Sequence, residues 1–140
     1  MWTCDLCGRS FGRSGQGHYC SPAMSIDEFF ATSPERERPI FEAVQAHLHQ
    51  LGPVVVEPVS VGILFKAGPV FAELRPRKRW MALSFTLPVK LSSPRLSRKV
   101  IPTSASQQRW YHVVNLTDAG QVDGEVRDWL TEAYLAAADG

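Results

Sequence analysis

Hydrophobic and polar positions alternate in short runs between residues 54 and 87, which is the pattern of half-buried β-strands. Proline, glycine or a cluster of basic residues separates each run from the next, as hairpin turns would. A further alternating run lies around residue 112. The pattern predicts five strands, at 54–57, 61–66, 70–75, 80–87 and 109–116.

The segment before the strands has helical periodicity instead. Ser25 and Glu28 have the spacing of a capping box, which predicts the start of a short helix. Hydrophobic residues then recur at helical spacing within residues 40–51 and predict a longer helix that a Gly-Pro pair ends. Two starts are open for this helix, one at Pro34 and one at Pro39.

The C-terminal segment carries a continuous apolar stripe at helical spacing from Val122 to Ala137. Asp118 is the predicted N-cap of this helix, with Gln121 three residues later. A short helix is also predicted at 93–99. The order of elements predicts an α+β domain at 25–140, with an antiparallel sheet of about five strands and helices packed on one face, preceded by a small zinc knuckle.

All three cysteines of the chain lie within residues 1–20, next to one histidine. An odd, clustered set argues against a disulfide framework. The spacing C-x2-C-x10-H-x-C instead supplies three thiolates and one imidazole, a closed tetrahedral set without a position for a catalytic water. The ligands of this predicted structural zinc ion are Cys4, Cys7, His18 and Cys20. The alternative is that these cysteines carry no metal and the histidine lies nearby by chance.

The first half of this segment resembles the hairpin of a C2H2 zinc finger, with Trp2 before the first cysteine, Gly8 after the second and Phe11 beyond it. The second half departs from that family, because the glycines within 12–17 disfavour a recognition helix. The segment is therefore more like a zinc knuckle, and base reading in the major groove is not implied. Residues 21–24 are the predicted linker to the body.

Several short sequences of the body occur in the order found in one bacterial family. They are SIDEFF at 25–30, SPR at 93–95, RWYH at 109–112, VDGEVRDWL at 122–130 and EAY at 132–134. The body resembles the family called domain of unknown function 5655 over about residues 25–138. The resemblance implies no activity and no catalytic residue.

Composition narrows the class of protein. The chain has 140 residues, of which 44% are hydrophobic, and this suits one globular domain with a small appendage. No apolar run approaches the ~20 residues that cross a bilayer, and the N-terminus lacks a signal-peptide pattern. We therefore expect a cytoplasmic protein that does not enter a membrane.

Charge is distributed unevenly along the chain, although the net charge is only +1. All fourteen acidic residues lie outside residues 74–117, a window that holds nine of the fifteen Lys and Arg. Such a window predicts a positive face that binds phosphates of a nucleic acid or of a phosphorylated ligand. The alternative is that its cations pair with acidic residues of the same fold. The predicted anion-binding set is Arg75, Arg77, Lys78, Arg79, Arg95, Arg98, Arg109, Trp110 and His112.

Catalytic sequence patterns are missing. The chain has no Walker loop, dinucleotide fingerprint or nucleophile elbow, and the basic window lacks the carboxylates that a metal-dependent nuclease needs. His112 is the one histidine in that window, where it would act as a general base or phosphate contact, or else lie in the core.

The sequence favours a binding module for an anionic partner. A protein-interaction adaptor and a small-ligand pocket or enzyme centred on His112 are the alternatives, and the oligomeric state is not predicted.

Overall fold

The computed structural model describes residues 2–5, 8–15, 24–97, 100–102 and 109–139. Two short N-terminal strands form a hairpin of their own, and the body contains three α-helices and six strands. The helices are α1 (Ile26–Phe30), α2 (Glu37–His49) and α3 (Gly124–Asp139). The strands are β1 (Trp2–Thr3), β2 (Ser10–Phe11), β3 (Val55–Val59), β4 (Gly62–Lys66), β5 (Val70–Pro76), β6 (Met81–Leu87), β7 (Ile101–Pro102) and β8 (Trp110–Leu116).

The body is built on one antiparallel sheet, with strands in the order β3-β4-β5-β6-β8-β7. The five predicted strands are confirmed, and each of their ends moves by at most two residues. The sheet has six strands rather than about five, because the two-residue β7 pairs with the outer edge of β8. Its two side chains are exposed, so no alternation of buried positions marks it in the sequence.

Helices α2 and α3 pack on one face of the sheet, as predicted. Phe65 and Phe85 lie in register across β4, β5 and β6 and therefore share that face. Phe65 stacks on Phe41 of α2 at 6.1 Å between ring centroids, and Phe85 stacks on Trp129 of α3 at 5.6 Å. These ring contacts lie in one continuous hydrophobic core that includes both helices and the four central strands. The α+β architecture is confirmed.

The start of α1 is as the sequence predicts. The Ser25 hydroxyl accepts the Glu28 backbone N–H, and the Ser25 N–H donates to the Glu28 carboxylate, both at 3.0 Å. Helix α2 begins at Glu37, between the two prolines that the sequence offered as starts. Pro39 is tolerated because the backbone N–H groups of the first turn have no partner within the helix.

Two predictions about helices are wrong: the N-cap of α3 and the short helix at 93–99. Asp118 caps a 3-10 turn at Ala119–Gln121, and α3 begins later, where the Asp123 carboxylate accepts the Val126 N–H at 3.2 Å. Both aspartates are suitable N-cap residues, and they lie only five positions apart in the chain. The segment predicted as a helix at 93–99 is, over its described part, a turn followed by a bridge from Leu96 to Val114.

Pro58 lies inside β3, although the sequence placed it between two strands. Strand β3 is at the edge of the sheet, where one side of the hydrogen-bonding ladder has no neighbour and a missing N–H costs little. In the described parts of the chain, no helix is both long enough and apolar enough to cross a membrane.

Candidate functional site

The predicted zinc segment begins with a β-hairpin, as its resemblance to a zinc finger implies. Trp2 pairs with Phe11, and the turn is closed by hydrogen bonds between Cys4 and the segment that follows it. Gly8 has a φ of +74°, a left-handed conformation that its missing side chain makes accessible. Cys4 is buried beside Phe11. The other predicted ligands, Cys7, His18 and Cys20, lie outside the described residues.

Among the residues that the structure describes, no group of three Cys, His, Asp or Glu side chains is placed to hold a metal. Of the four predicted ligands, only Cys4 lies among these residues, so the zinc site remains a prediction.

The N-terminal hairpin is attached to the sheet by a buried cluster of three charged residues. The Arg9 Nε lies 2.5 Å from one Glu57 carboxylate oxygen, and the Lys66 Nζ lies 3.0 Å from the other. Lys66 also donates to the Ser10 carbonyl at 2.8 Å, and its ammonium lies 4.3 Å from the centre of the Phe11 ring. The side chain of Arg9 is only 5% exposed. The hairpin is therefore fixed on the face of the sheet opposite the helices.

Lys66 does not pair with Glu73 on the neighbouring strand β5. The register places Leu64 opposite Glu73, and Glu73 pairs with Arg75 two residues along its own strand. Lys66 instead reaches diagonally to Glu57 on β3. A register shift between Phe65 and Lys66 alters the pairing at the end of β4.

The turn between β5 and β6 is an exposed part of the basic window, and we call residues 77–80 the basic turn. The Arg77 N–H donates to the Trp80 carbonyl at 2.7 Å and closes the turn. Arg77, Lys78 and Arg79 all project into solvent, and Trp80 is 36% exposed beside them. In the described part of the chain none of these three cations forms an ion pair.

The other described members of the predicted anion-binding set contact groups of the same fold. Arg95 binds the Asp123 carboxylate at 2.9 Å, the Glu125 carboxylate at 3.2 Å and the Gln121 carbonyl at 3.0 Å. Hydrogen bonding to Arg95 is the main cause that lowers the pKa of Asp123.

Arg109 donates to the Ala136 carbonyl near the end of α3, at 3.2 Å. The Trp110 ring lies under the Lys90 ammonium, which is 5.4 Å from the ring centre. Arg98 lies outside the described residues. The predicted set is therefore not one site. Among its described members, the exposed cations without an acidic partner are Arg77, Lys78 and Arg79 of the basic turn.

His112 lies in the core and not on the basic surface. It is 1% exposed and stacks on the Phe85 ring at 5.3 Å. Its Nε2 accepts the Leu91 N–H at 3.1 Å, so the ring is neutral with its proton on Nδ1. Burial is the main cause that lowers the pKa of this imidazole. In this position the ring has a structural role in the described fold.

A groove lies beside the basic turn, and sequence reasoning did not find it. It has a volume of about 420 Å³, and its walls include Phe29 of α1, Pro34, and Pro76 at the end of β5. Glu37, the first residue of α2, lines it while being only 2% exposed. Burial raises the pKa of this carboxyl, and the nearby Arg36 offsets part of that effect.

Glu37 has no hydrogen bond or ion pair to its carboxylate in the described part of the chain. A largely buried side chain whose carboxylate has no partner in the described structure marks a position where a hydrogen-bond donor from outside the chain would be favourable. In the sequence, Glu37 stands between two arginines and looks like part of a solvated helix start. Its burial arises only in the fold, where it lines one groove together with Pro34 and Pro76.

Comparison with known proteins identifies the body. The model of the family described as domain of unknown function 5655 matches residues 26–137, and the chain therefore belongs to that family. This confirms the resemblance inferred from the sequence of the body. No curated protein and no solved structure matches the chain.

Proposed function

We propose that this member of the family of domain of unknown function 5655 is a nucleic-acid-binding module whose phosphate contacts come from the basic turn. One observation carries the proposal: three neighbouring cations at the tip of the β5–β6 hairpin have no acidic partner in the described part of the chain. Exposed Arg and Lys that are not neutralised within the fold attract phosphates and release counterions when they bind them.

Most of the other described cations differ from these three, because they bond to groups within the fold. Arg9, Arg38, Lys66, Arg75 and Arg95 form ion pairs, and Arg36 and Arg127 donate to backbone carbonyls. Within the basic window, Arg75 and Arg95 have acidic partners in the same fold, whereas the three cations of the basic turn do not.

Trp80 favours a nucleic acid over a simple phosphate ion. It closes the basic turn and is partly exposed beside the cations. An aromatic ring next to cations that hold a phosphate backbone is the arrangement that stacks on an unpaired base. A small anion would use the charges and leave the indole without a role.

The proposal is tested by fluorescence anisotropy of labelled single- and double-stranded DNA and RNA, titrated with the protein at several salt concentrations. We expect weak binding, with dissociation constants of roughly 1–100 µM and a steep loss of affinity as salt rises. The double variant Arg77→Ala and Arg79→Ala should bind roughly tenfold more weakly. On single strands it should also reduce the slope of log binding constant against log salt concentration by about 1.4 in magnitude, at about 0.7 for each lost contact.

The matched control is Arg38→Ala with Arg127→Ala, which removes the same charge from side chains that bond within the fold. This variant should bind nearly as the natural chain does. If both double variants lose the same affinity for nucleic acid, the loss comes from net charge and not from the basic turn. A natural chain that does not bind at low salt would overturn the proposal.

We also propose that residues 1–20 bind one structural zinc ion through Cys4, Cys7, His18 and Cys20. The buried Cys4 thiol and the left-handed turn at Gly8 support this, because both belong to the hairpin half of a zinc finger. Metal quantitation on freshly purified protein should give about one zinc per chain. Cys4→Ser should lose the metal, whereas a content far below one zinc in the natural chain would contradict the proposal.

A further inference from the structure

The groove beside the basic turn has the size of a small-molecule site. Its volume of about 420 Å³ falls within the range of roughly 300–1,000 Å³ of small-molecule sites. The Phe29 ring and the two prolines, Pro34 and Pro76, provide rigid apolar walls. Phe29 is held in place by an edge-to-face contact with Phe30 at 5.0 Å. Walls of this kind favour a planar, partly apolar ligand over a hydrated ion.

The groove and the basic turn are neighbours. Pro76 lines the groove and directly precedes Arg77, the first residue of the turn. Arg36, which directly precedes Glu37, donates through Nη2 to the Lys78 carbonyl at 3.2 Å. A ligand that contacts the cations of the turn with one part is therefore within reach of the groove with another.

The polar lining of the groove includes the carboxylates of Glu28 and Glu37 and the hydroxyls of Thr32, Ser33 and Ser60. The Glu28 carboxylate already accepts the Ser25 N–H, which leaves Glu37 as the carboxylate open to a ligand. Glu37 is the first residue of α2 and offers two carboxylate oxygens to a ligand, with no partner of its own in the described part of the chain. Ligands with N–H donors satisfy such a group, and a carboxylate is best matched by two donors side by side. A free cation would also suit Glu37, but the basic turn would repel it, whereas a nucleotide carries an anionic phosphate and a base with N–H donors.

We propose that the groove takes one unstacked base of a single-stranded nucleic acid, with the Glu37 carboxylate accepting hydrogen bonds from N–H groups of that base. This rests on the proposed function of the basic turn. Guanine is the preferred base, because its Watson–Crick edge presents two adjacent donors, N1–H and N2–H. Adenine, cytosine and thymine each offer one donor group on that edge, so they leave one carboxylate oxygen unsatisfied.

The experiment compares two labelled strands by anisotropy: a short oligodeoxythymidine and the same strand with one central deoxyguanosine. The natural chain should bind the strand with guanine about tenfold more tightly, the discrimination expected of one bidentate contact. Replacing that guanine by hypoxanthine removes the N2 amine and should abolish most of the preference. This substitution needs no protein variant, so it does not depend on how a variant folds.

Glu37→Gln is the matched protein variant. It keeps the shape of the side chain but leaves one oxygen acceptor, so it should bind both strands with nearly equal affinity, close to that of the natural chain for oligodeoxythymidine. Arg77→Ala with Arg79→Ala should weaken both strands alike and keep the preference for guanine.

The two proposals fail in different ways. A natural chain that binds both strands equally, or a Glu37→Gln variant that keeps the preference for guanine, would overturn the inference about the groove. If Arg77→Ala with Arg79→Ala still weakened both strands in that case, the basic turn would stand as the phosphate site. No binding of either strand by the natural chain would overturn both proposals.

Discussion

Glu57 is the residue on which the attachment of the N-terminal hairpin depends most directly. Its two carboxylate oxygens neutralise two different cations, Arg9 from the hairpin and Lys66 from the sheet. All three side chains are at most 10% exposed, so solvent cannot replace the lost partner if one of them is removed. Breaking a buried ion pair from one side leaves an uncompensated charge, which costs more than the intact pair contributes.

We therefore expect Glu57→Gln to lower the free energy of unfolding by about 3 kcal/mol. Denaturation with urea, followed by circular dichroism, measures this change. Glu73→Gln is the control, because the Glu73–Arg75 pair is half-exposed on its arginine side and should contribute at most about 1 kcal/mol. Equal losses in the two variants would mean that the cluster around Glu57 is no more than a surface ion pair.

His112 makes the stability of the body depend on pH. Burial holds the pKa of the folded imidazole below the value of 6.5 that it has in an unfolded chain. Between these two values the unfolded state binds a proton that the native state does not, so acid favours unfolding. The contribution of the neutral imidazole to the free energy of unfolding is fully present above about pH 7. It is lost as the pH falls below 6.5 towards the folded pKa, by up to about 1.4 kcal/mol per pH unit.

His112→Gln should remove this component of the pH dependence, because a glutamine oxygen can still accept the Leu91 N–H but does not titrate. Urea denaturation at a series of pH values between 5 and 8, for the variant and the natural chain, gives the difference. His49→Gln, at an exposed position on α2, is the control and should leave the curve unchanged. If the free energy of unfolding of the natural chain changes with pH as it does in His112→Gln, the pH dependence does not come from His112.

At the scale of elements, the sequence was most informative where one local pattern decides the outcome. The hydrophobic residues Met81, Leu83, Phe85 and Leu87 located β6, because side chains on one face of a strand recur at every second residue. The capping box at Ser25 was equally local. Both depend on residues at most a few positions apart, so one sequence is enough to recognise them.

Helix ends and sheet edges were harder to predict, since several residues can satisfy the same local rule. Asp118 and Asp123 are both good N-caps, and the packing of Arg95 against Asp123 is one contact that distinguishes them in the fold. Pro58 reads as a strand breaker until its place at a sheet edge is known. Strand β7 carries no hydrophobic alternation at all, because both of its side chains are exposed.

The candidate site was predicted only in part, and the reason is long-range contact. The basic turn was found from its charge and the hairpin pattern around it. The pairing of Arg95 with α3, the burial of His112 and the unpaired carboxylate of Glu37 all involve residues far apart in the chain. Composition shows that these charges exist, but tertiary structure decides which of them are neutralised.

At the scale of the whole molecule, the chain has two hydrophobic cores of very different size. The larger includes α1, α2, α3 and the sheet, whereas the smaller contains Cys4 and Phe11 with Trp2 against them. No residue before Ile26 belongs to the larger core in the described structure. The body therefore has the apolar burial that it needs to fold without the hairpin, and the hairpin depends on its attachment and on the proposed zinc ion.

This division predicts that the cost of Glu57→Gln depends on the presence of the hairpin. In a chain that lacks residues 1–23, water reaches Glu57 and Lys66, and their interaction becomes that of an exposed ion pair contributing about 0–1 kcal/mol. Glu57→Gln should then lower the free energy of unfolding by less than about 1 kcal/mol, against about 3 kcal/mol in the full chain.

Urea denaturation of the four proteins, full and shortened, each with and without the substitution, forms a thermodynamic cycle that isolates this coupling. Circular dichroism of the shortened chain provides the control, because its spectrum should keep the helical signal of α2 and α3. A substitution that costs the same in both chains would mean that Glu57 stabilises the sheet by itself. The ion pairs of Glu57 would then not be what joins the hairpin to the body, and the joint would lie in other contacts, such as those of the Lys66 ammonium with the Ser10 carbonyl and the Phe11 ring.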